Sequence, residues 1–210
     1  MARPREFDVD IALDRAMHAF WTKGYEATSL DDLCTATSLG RSSLYAAFGS
    51  KRRLYFDVLE RYEQLAVNRV SAALAGPLPI RDAIAAFLNE MIDDIVTGRG
   101  RRGCLIGNCA AELGRRDNSA AGKVRHSLDL VEKTFRAALA RAKKRGEIAA
   151  SSDVDALARF ITSGIQGLRL VGKANPSRAV LEDIATVMLQ CLKQQVTPGS
   201  RRKNSALRSD

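Results

Sequence analysis

The sequence has no apolar run that approaches the roughly 18 residues of a membrane-spanning helix. Its first residues, Met-Ala-Arg-Pro-Arg-Glu, are not followed by the apolar stretch of a secretory signal. These absences predict a cytoplasmic protein with no membrane partner, whose four cysteines are reduced thiols. Histidine is also scarce. Neither of the two histidines stands beside an obvious pair of ligands, so no metal site is predicted.

Proline and glycine are sparse, at five and fifteen residues, and no strand-like alternation of apolar and polar residues is found. Apolar residues recur instead at helical spacing, as in Leu13, Ala16, Met17 and Phe20. Asp8 or Asp10 is predicted to begin this first helix, and Gly24 follows its end. The periodicity along the rest of the chain is also helical. The predicted fold class is therefore all-α.

Charge is unevenly distributed. The chain carries a net charge of +9, which favours an acidic partner and nucleic acid in particular. Most of the excess lies in residues 99–145, so total charge does not locate a binding surface. The local pattern is more informative, because no acidic residue occurs between Leu33 and Phe56. That window contains Arg41, Lys51, Arg52 and Arg53.

Three short helices are predicted before residue 50, and Ser38-Leu39-Gly40 separates the second from the third. This is the plan of a helix-turn-helix, whose second helix enters the major groove of DNA by its N-terminal end. An arginine there can bind guanine, and hydroxyl or ammonium groups can bind bases or phosphates. The predicted DNA contacts are Thr28, Arg41, Ser42, Ser43, Tyr45 and Lys51. An N-terminal arm with Arg3 and Arg5 could enter the adjacent minor groove.

Two segments resemble the TetR family of transcriptional regulators. Residues 20–30, Phe-Trp-Thr-Lys-Gly-Tyr-Glu-Ala-Thr-Ser-Leu, are similar to the family's first-helix end and turn. Residues 39–51, Leu-Gly-Arg-Ser-Ser-Leu-Tyr-Ala-Ala-Phe-Gly-Ser-Lys, are similar to its recognition helix and the start of its fourth helix. The resemblance implies a homodimeric repressor that binds a near-palindromic operator and is released by a small effector. Arg41 and Ser42 would face bases, and the other four contacts would face phosphates. Ala47 occupies a position where the family often has a larger side chain.

The predicted domains follow from this pattern. They are a DNA-binding helix-turn-helix domain over residues 1–53, a larger effector-binding and dimerisation domain over 54–196, and a basic disordered tail over 197–210. The last two helices, with Gly164 and Gly167, are the predicted dimer interface, in a four-helix bundle. Its residues are Leu157, Ile161, Ile165, Leu168, Ile184 and Met188. Candidate effector contacts are Tyr62, Phe87, Met91, Asn108, Phe135 and Arg169.

Other functions compete with this prediction. Cys104 and Cys109 lie beside a basic loop and could form a redox or electrophile sensor, although burial as small apolar residues fits their apolar neighbours better. Cys34 and Cys191 fall on apolar stripes and are predicted to be core residues. A small helical enzyme and a nucleoid-type DNA binder without an effector are further alternatives. Gly98, Gly100 and Gly103 have dinucleotide-fingerprint spacing but follow a predicted helix instead of a strand, so no cofactor is predicted.

Overall fold

The computed structural model describes residues 7–192. Within that range the chain forms α-helices and no strand, which confirms the all-α prediction. The helices are α1 (Val9–Lys23), α2 (Leu30–Thr37), α3 (Arg41–Phe48), α4 (Lys51–Leu74), α5 (Ile80–Val96), α6 (Leu105–Leu113), α7 (Asn118–Lys144), α8 (Val154–Ala174) and α9 (Arg178–Gln190). The predicted arm with Arg3 and Arg5 and the predicted tail over 197–210 lie outside the described residues. None of these helices combines the length and apolar character needed to cross a bilayer.

Short-range hydrogen bonds set the bounds of the first two helices. The Asp8 carboxylate accepts from two backbone N–H groups at the start of α1, and Gly24 ends that helix with a φ of 84°. At the start of α2, the side chains of Ser29 and Asp32 each accept from the other's backbone N–H, forming a capping box. Ser38 ends α2 in the left-handed region, at a φ of 60°. These bonds fix the tight turns of the predicted helix-turn-helix.

The third helix passes almost directly into the fourth. Leu44 and Phe48 anchor α3 in the core, and the Ser50 hydroxyl accepts from the backbone N–H of Arg53 to cap α4. Helix α4 then runs for 24 residues without a break. Helix α4 crosses residue 53, where the sequence analysis places the domain boundary. That boundary stays a prediction. A continuous helix can transmit a movement from one end of the molecule to the other.

The buried apolar residues form two clusters. One contains the inner faces of α1, α2, α3 and the first half of α4, and it includes Phe20 and Leu33. Helix α6 and the start of α7 belong to this cluster as well, through residues such as Cys109 and Val124. The other cluster is built from the end of α4 and from α5, α7, α8 and α9. Helix α6 therefore shares a buried cluster with α1, α2 and α3, and it packs against α4 and α7.

The predicted dimer stripe faces this second core, which corrects that prediction. Ile161, Ile165, Leu168 and Met188 are at most 4% exposed and belong to the protomer's own core. Leu157 and Ile184 are half-buried and pack against the same cluster. The physical reason is that α8 packs against α5, α7 and α9, so its longest apolar stripe is used within the protomer.

A different apolar face of the same two helices is exposed. On α8 it consists of residues at spacings of four and three, namely Phe160, Gly164, Gly167 and Val171. On α9 the corresponding residues are Val180, Ile184 and Val187. Phe160 is 45% exposed and Val187 is 60% exposed. This face adjoins the predicted stripe, because Leu168, Ile184 and Met188 border it as well, and it presents the exposed side chains of Phe160 and Val187.

Candidate DNA interface and effector cavity

Helix α3 presents a polar face to solvent. Arg41, Ser42 and Ser43 form its first turn and are all exposed, and Tyr45 is 47% exposed one residue beyond buried Leu44. Gly40 precedes the helix and supplies no side-chain cap. No side chain therefore caps the first-turn N–H groups of α3, and uncapped N–H groups at a helix N-terminus suit binding of anions.

Arg41 already has a partner in the unbound protein. Its Nη2 and Nε atoms lie 2.7 and 3.1 Å from Oδ1 of Asp31, on α2. Both side chains are more than 60% exposed, at 64% and 73%. Ion pairs this exposed are weak because water competes for both groups. Arg41 can therefore exchange Asp31 for a base edge at low cost.

Lys51 lies where α4 begins, beside the turn between α1 and α2. Its Nζ donates to the Glu26 carbonyl at 3.3 Å and lies 4.6 Å from the centroid of the Tyr25 ring. The following residues, Arg52 and Arg53, are exposed. The positive end of the helix dipole adds to these three cations. The start of α4 is thus a cationic patch next to the exposed face of α3.

Thr28 does not share this surface. It has no exposed area, and its hydroxyl donates to the Gly24 carbonyl at 2.5 Å. The hydroxyl is thus used to hold the turn between α1 and α2. The prediction that Thr28 faces a phosphate does not fit this structure, and the other five predicted residues keep some exposure.

Two cavities lie beneath the helix-turn-helix. The larger, of about 180 Å³, is bounded by α1, α4, α5, α8 and the loop before α6. The smaller, of about 40 Å³, lies between α4, α5, α6, α7 and α8. Tyr62, Ala66, Arg69 and Arg169 line both cavities, so they stand at the boundary between them.

The candidate effector residues divide between these spaces. Tyr62 and Arg169 line both cavities, Met91 the larger and Phe87 the smaller. Asn108 lines a third cavity, of about 360 Å³, between α6 and α8, where it accepts from the Lys173 ammonium at 3.3 Å. Arg169 and Cys104 line this third cavity as well. Phe135 has no exposed area and packs edge-on against Phe87, with ring centroids 6.3 Å apart. Phe135 is therefore a core residue, and the prediction that it contacts an effector does not fit.

Sequence reasoning missed most of the residues that line the larger cavity, and three of them are instructive. Met17 and Trp21 come from α1, so the DNA-binding region itself forms part of the wall. Arg69 lies on the same face of α4 as Tyr62 and Ala66, at i, i+4 and i+7. That spacing was visible in the sequence and could have identified Arg69. Nothing local indicated that α1 would reach this cavity.

Helix α6 also contacts the helix-turn-helix through a carboxylate. The two side-chain oxygens of Glu112 accept from the backbone N–H groups of Tyr25 and Glu26, at 2.9 and 2.7 Å. A Cβ at Gly24 would come within 3.0 Å of the same carboxylate. Glycine is thus needed there for space as well as for its positive φ. The turn between α1 and α2 is held by a residue far away in sequence.

The cysteines occupy different environments. Cys109 has no exposed area, and burial raises the pKa of its thiol. Cys104 is 8% exposed and lies within hydrogen-bonding reach of Tyr62 and Arg169. Cys34 is half-buried. Cys191 is exposed just after α9, so its assignment to the core was wrong. Among residues 7–192, no group of three or more potential ligands could hold a metal ion.

Two family models cover most of the chain. Residues 12–58 match "Bacterial regulatory proteins, tetR family", and residues 80–188 match "Tetracyclin repressor-like, C-terminal domain". The chain belongs to the TetR family. It is a helix-turn-helix transcriptional regulator and not an enzyme, and α2 and α3 form the helix-turn-helix of this TetR-family fold.

Relatives resemble the chain over nearly its whole length. The HTH-type transcriptional repressor ComR of Escherichia coli (strain K12) is 32% identical over 189 residues, which are 90% of each chain. YezE of Bacillus subtilis (strain 168), an uncharacterized HTH-type transcriptional regulator, is 31% identical over 91% of this chain and 100% of its own. A cysteine mutant of the TetR-family regulator CifR, solved with 26-base-pair operator DNA, is 33% identical with a TM-score of 0.78, covering 90% of this chain and 98% of its own.

Proposed function

We propose that this TetR-family regulator is a cytoplasmic repressor that binds a near-palindromic operator as a homodimer and is released by a small effector. The observation that carries the proposal is the exposed face of α3 beside the cationic start of α4. Arg41 and Ser42 are assigned to bases, and Ser43, Tyr45 and Lys51 to phosphates. Repressor activity is supported by the ComR relative, and operator binding by the CifR complex.

The exposed apolar face of α8 and α9 is the proposed dimer interface. Gly167 leaves open space for close approach of a second helix, and Phe160 and Val187 supply apolar surface. Gly164 is already packed against Met188 of the same protomer. Two helices from each protomer would form a four-helix bundle. A twofold axis through that bundle would relate the two α3 helices, as a near-palindromic operator requires.

Release is proposed to follow from the position of the larger cavity. Its wall combines α1, which belongs to the DNA-binding region, with α4 and α8. A ligand that binds better when α1 and α4 shift weakens operator binding by that difference in affinity. The cavity is the proposed effector site, with Tyr62, Met91 and Arg169 as contacts. A thiol sensor is a second candidate, because Cys104 lies beside Tyr62 and Arg169.

The test is DNA binding by single alanine variants. Operator sequences are selected from random duplexes with the wild-type protein, and affinities for selected and random DNA are then compared. Arg41→Ala should lower the ratio of the two by roughly 5- to 150-fold, since an arginine–guanine pair contributes about 1–3 kcal/mol. Lys51→Ala should weaken both affinities alike and reduce the salt dependence.

Arg81→Ala is the matched control, because it removes an exposed cation from α5, away from the helix-turn-helix. It should leave both affinities unchanged. An unchanged specificity ratio in Arg41→Ala would refute the assignment of α3 as the reading helix.

A further inference from the structure

We propose that the effector is a small monocarboxylate whose carboxylate binds Arg169 between the two cavities, an inference that rests on the proposed function of the cavity. Arg169 comes from α8, and its Nη1 donates to the Tyr62 hydroxyl at 2.6 Å. Burial raises the pKa of Tyr62, so this phenol stays neutral at physiological pH. The guanidinium thus has a hydrogen-bond partner that carries no charge.

The carboxylates that line the cavities are paired with groups other than Arg169. Asp94 is part of the wall of the larger cavity, where it lies 2.8 Å from Arg69 and 3.0 Å from Arg99, and Glu90 also pairs with Arg69. Glu63 accepts from the Ser127 hydroxyl and lies 3.8 Å from the His126 ring. The titratable groups beside Arg169 are the Tyr62 phenol and the Cys104 thiol, and no carboxylate among residues 7–192 pairs with it. A partly buried cation without a carboxylate partner favours binding of one negative charge.

A second arginine in the lining of the same cavities has an unsatisfied donor. The Nε atom of Arg69 is buried and has no hydrogen-bond partner, although the other end of its guanidinium is paired with Asp94 and Glu90. Arg69 and Arg169 both line both cavities. A carboxylate has two oxygens, so one can bind Arg169 while the other satisfies this N–H.

The size and lining of the cavity restrict the rest of the ligand. At about 180 Å³ the larger cavity is smaller than the roughly 300–1,000 Å³ of drug-sized sites. Apolar side chains cover much of its wall, including Met17, Leu65, Met91 and Ile95. One carboxylate on a short apolar chain matches this combination. A nucleotide is too large, and inorganic phosphate leaves the apolar wall without a partner.

The carboxylate would act on α1 through Tyr62. When it takes the donors of Arg169, the Tyr62 hydroxyl loses its present partner. The Tyr62 ring packs edge-on against Trp21 of α1, with centroids 5.0 Å apart, and the Trp21 indole N–H donates to the Gly103 carbonyl at 3.2 Å. A shift of Tyr62 therefore reaches α1, which packs against α2 in the same buried cluster.

Calorimetry on the full chain without DNA tests the ligand class. Sodium propionate and sodium butyrate are titrated beside propionamide, butyramide and inorganic phosphate. We expect saturable binding of a carboxylate that is at least about tenfold tighter than that of its amide, because the amide has no charge to offer Arg169. Equal binding of amide and acid, binding of phosphate alone, or no binding of either carboxylate would overturn the proposal.

Three variants locate the site. Arg169→Met should weaken carboxylate binding at least about tenfold. Arg169→Lys keeps the positive charge and should retain the preference of the site for the acid over the amide. Arg81→Met is the matched control, since Arg81 is exposed on α5 and lines neither cavity, and it should change little. If Arg169→Met fails to fold, a folded Arg169→Lys protein that binds acid and amide equally contradicts the proposal.

The outcomes separate this proposal from the proposed function. A carboxylate that binds while no operator can be selected refutes the repressor and leaves the site standing. An operator that is bound specifically while no carboxylate binds refutes the monocarboxylate site and leaves the repressor standing.

Discussion

Arg41 is paired with Asp31 in the free protein and is proposed to contact a base in the complex. The pair leaves both charges exposed. Because the pair is exposed, breaking it would cost little free energy compared with the gain from a bidentate contact to guanine. Ser42 and Ser43 beside it are short side chains that would lose little conformational entropy on binding a base or phosphate.

The rates at which the cysteine thiols react with an alkylating reagent are expected to follow their exposure. We predict that in the native protein Cys191 reacts first with iodoacetamide, and that Cys109 reacts only on unfolding, because it is buried and burial raises its thiol pKa. Cys104, at 8% exposure, should also be slow. The measurement is mass spectrometry of each cysteine-containing peptide over a labelling time course.

Operator binding by serine variants, measured with and without effector beside the labelling time course, tests the thiol sensor. Cys104→Ser should keep effector-dependent release of operator, and Cys34→Ser serves as its control. Rapid native labelling of Cys104, together with loss of release in its serine variant, would favour a thiol switch over a reversible ligand.

At the scale of elements, helix bounds were readable from the sequence because their signals are local. Asp8, Ser29 and Ser50 each bond to a backbone N–H only two or three residues away, and Asp8 was one of the two residues predicted to begin α1. The direction in which α8 and α9 face was not readable. Each helix carries two apolar faces, and periodicity alone does not say which one the protomer keeps.

Helix α6 holds the turn between α1 and α2 through Glu112. We predict that Glu112→Ala lowers the free energy of unfolding by about 1–2 kcal/mol, because two backbone N–H groups lose a charged acceptor. Hydrogen exchange at the Tyr25 and Glu26 amides should accelerate. Chemical denaturation and exchange monitored by NMR measure the two effects.

Glu60→Ala is the control for this variant. Its carboxylate is 70% exposed and pairs with Lys123, so its removal should change stability by less than about 0.5 kcal/mol. If Glu112→Ala behaves in the same way, α6 does not stabilise the turn.

At the scale of the whole molecule, the two candidate sites differ in how far the sequence could predict them. The proposed DNA-binding surface is formed by residues 41–51, a contiguous segment that can be recognised in the sequence as a motif. The cavity combines Trp21, Tyr62, Met91 and Arg169, which meet only through tertiary packing. Tyr62, Met91 and Arg169 were predicted individually, but Phe135 was indistinguishable from them because a core aromatic and a pocket aromatic have the same sequence pattern.

An aspartate introduced on either face of α8 and α9 is expected to have a different effect on folding. Ile165→Asp should unfold the protomer, since it places an unpaired carboxylate in the core at a cost of several kcal/mol. Val187→Asp should leave the protomer folded, because Val187 is 60% exposed within it, but should prevent dimerisation. Circular dichroism melts distinguish the two cases, and a folded Ile165→Asp protein would contradict the described core.

Sedimentation velocity of the protein with a fluorescently labelled, selected operator duplex tests whether the regulator binds DNA as a dimer joined through α8 and α9. We expect two wild-type chains on each near-palindromic duplex, and a folded Val187→Asp monomer that no longer binds it at the same concentration. One chain per duplex, or a Val187→Asp protein that is dimeric and binds as the wild type does, would contradict this expectation.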